Sequence, residues 1–529
     1  MIAVRAPAAA SSVALALLAL PVWSQGVDLG IYVTDTLAEQ TVRIKPLGGQ
    51  PSMVGRIFAS PGEYEPVSFA VRPTTRVEQM MMHPTPLNGP GEIPAANVTV
   101  ASVEGYHGGD RDILVPLGHA WDMPAYQREL FWATIHVPYN AQAGKYRGAV
   151  EITSRDRKVG QVDIELQVLP IKLAEVPYAV GLNYSSPKDR EALAAHLKDM
   201  REHGMTTVAP LYNFHLPIHD DDTTELGDFI EAYRQAGFRQ PLYFASPMSL
   251  TVSELTGYGP VDSRRFQRKY ISVMRKLQAE VVKHEVPVIF SIGDEFTNKG
   301  TPGVEFAEQL ARLTFEELPE ITTTSDMNGY REVMAMAPYL DVATFNNGWD
   351  GADHHNQGRR LVNKDFLLEM QQTGAIPWFV NTGSGRFPYG LFFWKMAKYG
   401  ARGKVEWYYN LGDNERGSLV RTEGASVWPT IAYERCREGI DDLRYVVALE
   451  QAISEARQAG AKATEVAAAD RLLAEIADSI TDDWTAYTSG GEEFSADGFD
   501  TVPHDQVKSL GSLNAVRRAV ADAIVTLQR

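Results

Sequence analysis

Residues 287–300 read PVIFSIGDEFTNKG, an apolar run that ends on two adjacent acids. Val288, Ile289, Phe290 and Ile292 favour a buried strand, and Gly293 breaks it just before Asp294 and Glu295. Two neighbouring carboxylates repel each other, and burying either one unpaired is costly. Either chemistry keeps them at a strand end, or they are solvated loop acids.

The segment just upstream, RRFQRKYISVMRKLQAEVVKHE (264–285), has helical periodicity, so the strand belongs to a strand–helix alternation. The pattern recurs from about 178. AVGLNYS, TTVAPLYN, QPLYFAS, PVIFSIGDE, ITTTSDMN, LDVATFNN, AIPWFVNTG and GKVEWYYN read as strands with helical segments between them. Eight such strands over roughly 240 residues predict a (β/α)8 barrel in the TIM manner. A doubly wound open sheet is the alternative, but no Gly-rich phosphate loop follows the first strand.

On the N-terminal side, residues 28–170 alternate apolar and polar positions in short runs broken by Gly, Pro and Asn, which predicts an antiparallel β-sandwich. That region shows no acid pair, and suits a scaffold or a carbohydrate-contacting module. Beyond 424 the chain turns helical and is expected to pack on the barrel and supply its last helix. The expected organisation is therefore multidomain: residues 1–24 a signal peptide, 25–174 the sandwich, 175–424 the barrel and 425–529 a C-terminal helical segment.

The signal rests on Arg5, the apolar SSVALALLAL and the small-residue positions Val22 and Ser24, with cleavage expected near Gln25 and export to periplasm or medium. The apolar run is short for a bilayer span, and no later segment looks transmembrane. A net charge of −17 over 529 residues argues against nucleic acid and anionic membrane as partners. The single cysteine, Cys436, lies on the apolar face of a helical pattern and reads as a core residue. Cys and His show no metal-type spacing; His219, His354 and His355 sit in polar loops, and no metal or cofactor is expected.

Barrel active sites lie at the C-terminal ends of the strands. Those ends carry Asn183 and Tyr184, Tyr212 and Asn213, then Asp294 and Glu295. Further on come Asn346, Asn347 and Trp349, then Asn381, then Trp407, Tyr409 and Asn410, with Arg386 closing the segment WFVNTGSGR after strand seven. One acid pair ringed by amides and aromatic faces suits a saccharide. Asn also favours turns at strand ends for its own reasons.

Glycoside hydrolysis usually needs two carboxyl groups, an acid and a nucleophile or base. Strand seven ends in Asn381, and Glu406 on strand eight sits short of the strand tip, so the usual partner across the barrel is missing. An adjacent Asp-Glu pair suits substrate assistance, in which a 2-acetamido carbonyl oxygen attacks the anomeric carbon. Glu295 then serves as general acid/base, its pKa raised by its neighbour, and Asp294 orients the acetamide.

Three stretches carry a family resemblance: GEYEPVSFAV (62–71) with VPYNAQAGKYRGAVEI (137–152), IGDEF (292–296), and YERCREGIDDLRYVVALE (433–450). On these the chain resembles glycoside hydrolase family 123 and the group built on domain of unknown function 4091. The resemblance implies a retaining exo-β-N-acetylgalactosaminidase, with Asp294 and Glu295 in the roles just given and a glycan or glycoconjugate as partner. Phe296 departs from the pattern, since many relatives are expected to have Pro there.

Two other functions stay open. One is a glycosidase with two protein carboxylates, recruiting Asp326, Asp350 or Glu406; the other is a non-catalytic saccharide-binding protein. The charges of the 437–442 segment are expected to form a buried ion-pair network.

Overall fold

The computed structural model describes residues 29–34, 53–105, 112–211, 214–348, 359–411, 418–487 and 513–529. The signal segment, Tyr212, Asn213, Trp349, Asp350, His354 and His355 lie outside the described residues.

The N-terminal strands form two sheets over one apolar core. One sheet runs Leu29–Thr34, Tyr64–Pro73, Glu129–His136, Val98–Gly105, Asp112–Pro116 in spatial order. The other is built around the long hairpin Gly144–Ser154 and Arg157–Val168. Alternation directs Phe69, Phe131, Val150 and Ile152 inward, where all four are fully buried. Phe69 and Phe131 pair across strands with ring centroids 5.6 Å apart. The expected sandwich differs in one pairing: Val54–Ala59 runs parallel to Arg157–Val168.

The barrel strands are β1 (Ala179–Tyr184), β2 (Ala209–Pro210), β3 (Leu242–Phe244) and β4 (Val288–Asp294), then β5 (Thr323–Met327), β6 (Val342–Phe345), β7 (Ile376–Val380) and β8 (Gly403–Glu406). Their order around the barrel is β2-β1-β8-β7-β6-β5-β4-β3, with parallel ladders between neighbours. Between β2 and β3 a hydrogen bond from Tyr243 N to Val208 O, 3.2 Å, spans the remaining seam. β2 is shorter than TTVAPLYN suggested, because Pro210 has no N–H for a ladder.

Period-two alternation divides each strand. Ala179, Tyr243, Ile289, Val342, Trp378 and Val405 form one inward cluster. Phe290, Ile292, Phe345 and Phe379 face outward and pack with the surrounding helices.

After β8 a hairpin, Val420–Glu423 with Ser426–Pro429, precedes the helix Ile431–Gln458, so residue 424 falls at a hairpin turn. Thr430 caps that helix by accepting Tyr433 N at 3.2 Å. The helix is buried on nearly all sides near its start, and its charges are paired as the sequence suggested. Arg517, from the final helix Leu513–Gln528, reaches Asp442 at 2.6 Å, Glu438 at 2.8 Å and Glu65 of the sandwich at 3.1 Å. No helix among the described residues is long and apolar enough to cross a membrane.

Candidate active site

Asp294 ends β4 at the C-terminal mouth of the barrel. A register irregularity between Ser291 and Asp294 inserts an extra residue on β4, so that Asp294 stands opposite Asp326 of β5. Gly293 is required by packing: a Cβ there would lie 2.3 Å from the Phe296 ring and 2.7 Å from Ser325 Oγ. Glu295 N continues the ladder by donating to Asp326 O at 2.8 Å.

Glu295 itself is left-handed, with φ 45° and ψ 49°. A non-glycine residue there costs roughly 1–2 kcal/mol, and the surrounding bonds hold it in place. Its Oε2 accepts Asn298 Nδ2 at 2.9 Å, and Asn298 Oδ1 accepts Asn328 Nδ2 at 3.0 Å. Asn346 Nδ2 lies 3.5 Å from the other carboxylate oxygen. Burial first, and the Asp294 charge second, push the Glu295 carboxyl up to about 7.

Glu332 lies beneath this turn and is fully buried. It accepts Phe296 N at 2.7 Å, Thr297 Oγ1 at 2.7 Å and Asn328 N at 3.3 Å. Phe296 therefore supplies a backbone donor that a proline could not. Withdrawal from water raises Glu332 to about 7 against the pull of those bonds.

Asp326 faces into the barrel and accepts the Tyr243 hydroxyl at 2.5 Å. Withdrawal from water, then the charge of Asp294, hold its carboxyl well above the usual range. Tyr243 is in turn stacked on Trp378, with centroids 6.0 Å apart. Beside Asp294 a cleft of about 560 Å³ opens between the loops after β2 and β3, lined by Phe214, Ile218, His219, Met248 and Ser249.

The sequence-derived ring of amides and aromatics divides. Asn381 and Trp407 stay at the mouth, joined by Trp407 N donating to Asn381 Oδ1 at 3.2 Å, and Asn183 is buried at the end of β1. Asn347 points away from Asn346 by strand alternation and pins the following loop, accepting Val362 N at 2.9 Å and donating to Thr485 Oγ1 at 3.3 Å. Asn410 is likewise a loop pin, donating to Thr422 Oγ1 at 3.1 Å. Tyr184 and Tyr409 are fully buried, bonded to His196 Nδ1 and Asp199 Oδ2, each at 2.9 Å.

Arg386 is placed inside the protein, not at the mouth, gripping Asp442 with two bonds at 2.6 and 2.9 Å. Glu406 faces outward, since its neighbour Val405 faces in. Its Oε2 accepts Lys404 Nζ at 2.7 Å and Thr382 N at 3.0 Å. That leaves β7 and β8 without a carboxylate directed at the mouth among the described residues.

Sequence reasoning did not single out Asn298, Glu332 or Tyr243. Asn298 was visible as an amide three residues past Glu295, and Tyr243 as an inward position of QPLYFAS. Glu332, 36 residues from Phe296, leaves no local signal. Among the described residues no group of three or more His, Cys, Asp or Glu has a metal-holding arrangement.

No protein-family model matches the chain, and no curated protein matches it in sequence. Among solved structures it is similar to a family 123 glycoside hydrolase from Clostridium perfringens, described for glycolipid glycan hydrolysis. That alignment has a TM-score of 0.64 and 14% identity, over 95% of this chain and 100% of the other. A family 39 glycoside hydrolase from Bacteroides cellulosilyticus aligns at TM-score 0.37 and 12% identity, over 74% of this chain and 82% of its own. The chain thus has the fold of a family 123 glycoside hydrolase.

Proposed function

We propose that the protein is an exported glycoside hydrolase that removes β-linked N-acetylhexosamine, with N-acetylgalactosamine the first candidate, by substrate-assisted retaining catalysis. The observation that carries this is the adjacent pair at the mouth: Asp294 on the strand end, Glu295 raised to about 7, and Asn381 directly after β7 where a second carboxylate would otherwise stand.

Glu295, protonated near neutral pH, gives its proton to the glycosidic oxygen as the C1–O bond breaks. The acetamide carbonyl oxygen attacks C1 from the opposite face and closes an oxazolinium ring. The Asp294 carboxylate accepts the acetamide N–H and balances the positive charge. Glu295, now ionised, takes a proton from water as that water opens the ring at C1. Two inversions give net retention.

The Clostridium perfringens protein is described for glycolipid glycans, which makes such a glycan the first natural substrate to try. A second reading, with two protein carboxylates, is favoured by one observation: Asp326 stands in register with Asp294. The experiment is a comparison of matched aryl glycosides with and without the 2-acetamido group. Substrate assistance requires that the 2-hydroxy sugar be turned over far more slowly. Equal turnover, with a sugar trapped on Asp326, would overturn it.

A further inference from the structure

At the end of the barrel away from Asp294, the sandwich and barrel line an open cleft of about 460 Å³. Segments quoted above that lie outside the catalytic pair converge here: Glu63 and Tyr64 from 62–71, Tyr139 from 137–152, Arg437 and Asp441 from the C-terminal helix. Leu173 and Val176 just before β1, and Gly204 before β2, place it at the N-terminal face of the barrel.

Its walls have the chemistry of a neutral, hydroxyl-rich ligand. Tyr139 is 81% exposed, yet its ring is held from below: a Cβ on Gly62 would meet Tyr139 Cε1 at 2.4 Å. One face therefore rests on glycine and the ring is presented to solvent. His136 meets it edge-on at 6.4 Å and stacks on Tyr64 at 4.2 Å, continuing the aromatic wall inward. Arg437 already covers Tyr64, at 5.3 Å, which leaves that ring no use for a cationic ligand. The lining has four acidic and four basic side chains, and three pairs of them neutralise one another locally. Arg444 pairs with Asp441 at 2.8 Å, Lys198 with Glu202 at 3.6 Å, and Arg201 with Glu175. Neither an anion nor a cation gains from this balance, while hydroxyl groups find donors and acceptors side by side.

We propose that this seam between sandwich and barrel is a second saccharide-binding site, with Tyr139 as its stacking platform, that holds a neutral glycan chain apart from the catalytic mouth. It does not depend on the assignment of the reaction, because its test reads binding.

The full chain carrying both Asp294→Asn and Glu295→Gln is titrated with three neutral hexasaccharides (chitohexaose, cellohexaose and maltohexaose), with a heparin hexasaccharide and a chitosan hexamer as charged controls. At least one neutral chain is expected to bind and the charged ones to fail as competitors. Tyr139→Ala should weaken that binding at least tenfold, and Lys198→Ala two- to threefold. In the otherwise unaltered enzyme, Tyr139→Ala should leave kcat/KM on an aryl monoglycoside within twofold. Undiminished binding by Tyr139→Ala, binding of charged chains alone, or a parallel loss of aryl glycoside turnover would each overturn the proposal.

Discussion

The buried carboxylate of Glu332 accepts the backbone N–H of Phe296 at 2.7 Å, one residue beyond the proposed catalytic acid. Through that bond and the one to Thr297 Oγ1, it fixes the turn on which Glu295 sits in a left-handed conformation. Geometry at a reacting group matters steeply, since a displacement of about 1 Å can cost about 100-fold. Glu332→Gln is expected to lower kcat about tenfold on substrates with poor leaving groups and much less on an activated aryl glycoside. KM should stay near its original value. A uniform loss across leaving groups would reduce Glu332 to a general packing role.

The proposed acid ties activity and stability to the same proton. With a carboxyl raised from 4.5 to about 7, turnover of poor leaving groups should fall as pH rises through 7. The same shift means that the folded protein binds this proton more tightly than the unfolded chain. Its stabilising contribution is complete below pH 4.5 and disappears as pH rises through about 7. Glu295→Gln, neutral at every pH, should therefore match the parent in Tm near pH 4.5 and exceed it by a few degrees at pH 8. Thermal melts at the two pH values provide the check, and a pH-independent difference would contradict it.

Asp294→Asn keeps the shape of the site and loses the charge that would face the oxazolinium under the proposed mechanism. A loss of roughly 10²–10³ in kcat is expected, the scale of removing one transition-state electrostatic partner. A thiazoline mimic of the intermediate should inhibit the parent competitively and the variant far more weakly. Equal inhibition of both would remove Asp294 from the charge-stabilising role.

Asp326 separates the two mechanisms in a single substitution. Its carboxyl is held well above the usual range, so Asn is a close replacement for its neutral form. Under substrate assistance Asp326→Asn should retain most of kcat, whereas a nucleophilic Asp326 would make that variant nearly inactive. Tyr243→Phe, which removes the 2.5 Å bond, should move the pH profile with little change in KM.

For Arg386 the expected defect is in folding. It and Arg517 share Asp442 in a fully enclosed network. Removing one partner of a buried ion pair typically costs about 3–5 kcal/mol. Arg386→Met should lower the denaturant midpoint while the folded fraction keeps its KM. A raised KM without loss of stability would return Arg386 to the sugar site.

The barrel was legible because its strands are buried and regularly spaced, and because PVIFSIGDE ends on charges that no core strand needs. The acid pair was legible for the same reason. Period-two alternation alone explains why Asn346 reaches Glu295 and Asn347 does not, and why Glu406 turns outward; counting amides at strand ends could not separate them. Arg386, Tyr184 and Tyr409 have the residue types of a sugar site but bond to protein partners far away in sequence, such as Tyr409 to Asp199, 210 positions apart. Glu332 and the β3 tyrosine act through contacts of the same long-range kind. Composition cannot reveal which of two distant polar groups a side chain will find.

Arg517 meets Glu65 across 452 positions, so a carboxylate set early in the sandwich waits for a cation close to the end of the polypeptide. During synthesis the sandwich and all eight barrel strands leave the ribosome before that cation exists as chain. Until it arrives, Glu65 and Glu438 face burial without that counterion, while Asp442 has only Arg386, and water remains the better host for the two glutamates. Removal of residues 513–529 is therefore expected to leave Glu65 and Glu438 without Arg517 and to loosen the seam between sandwich and barrel.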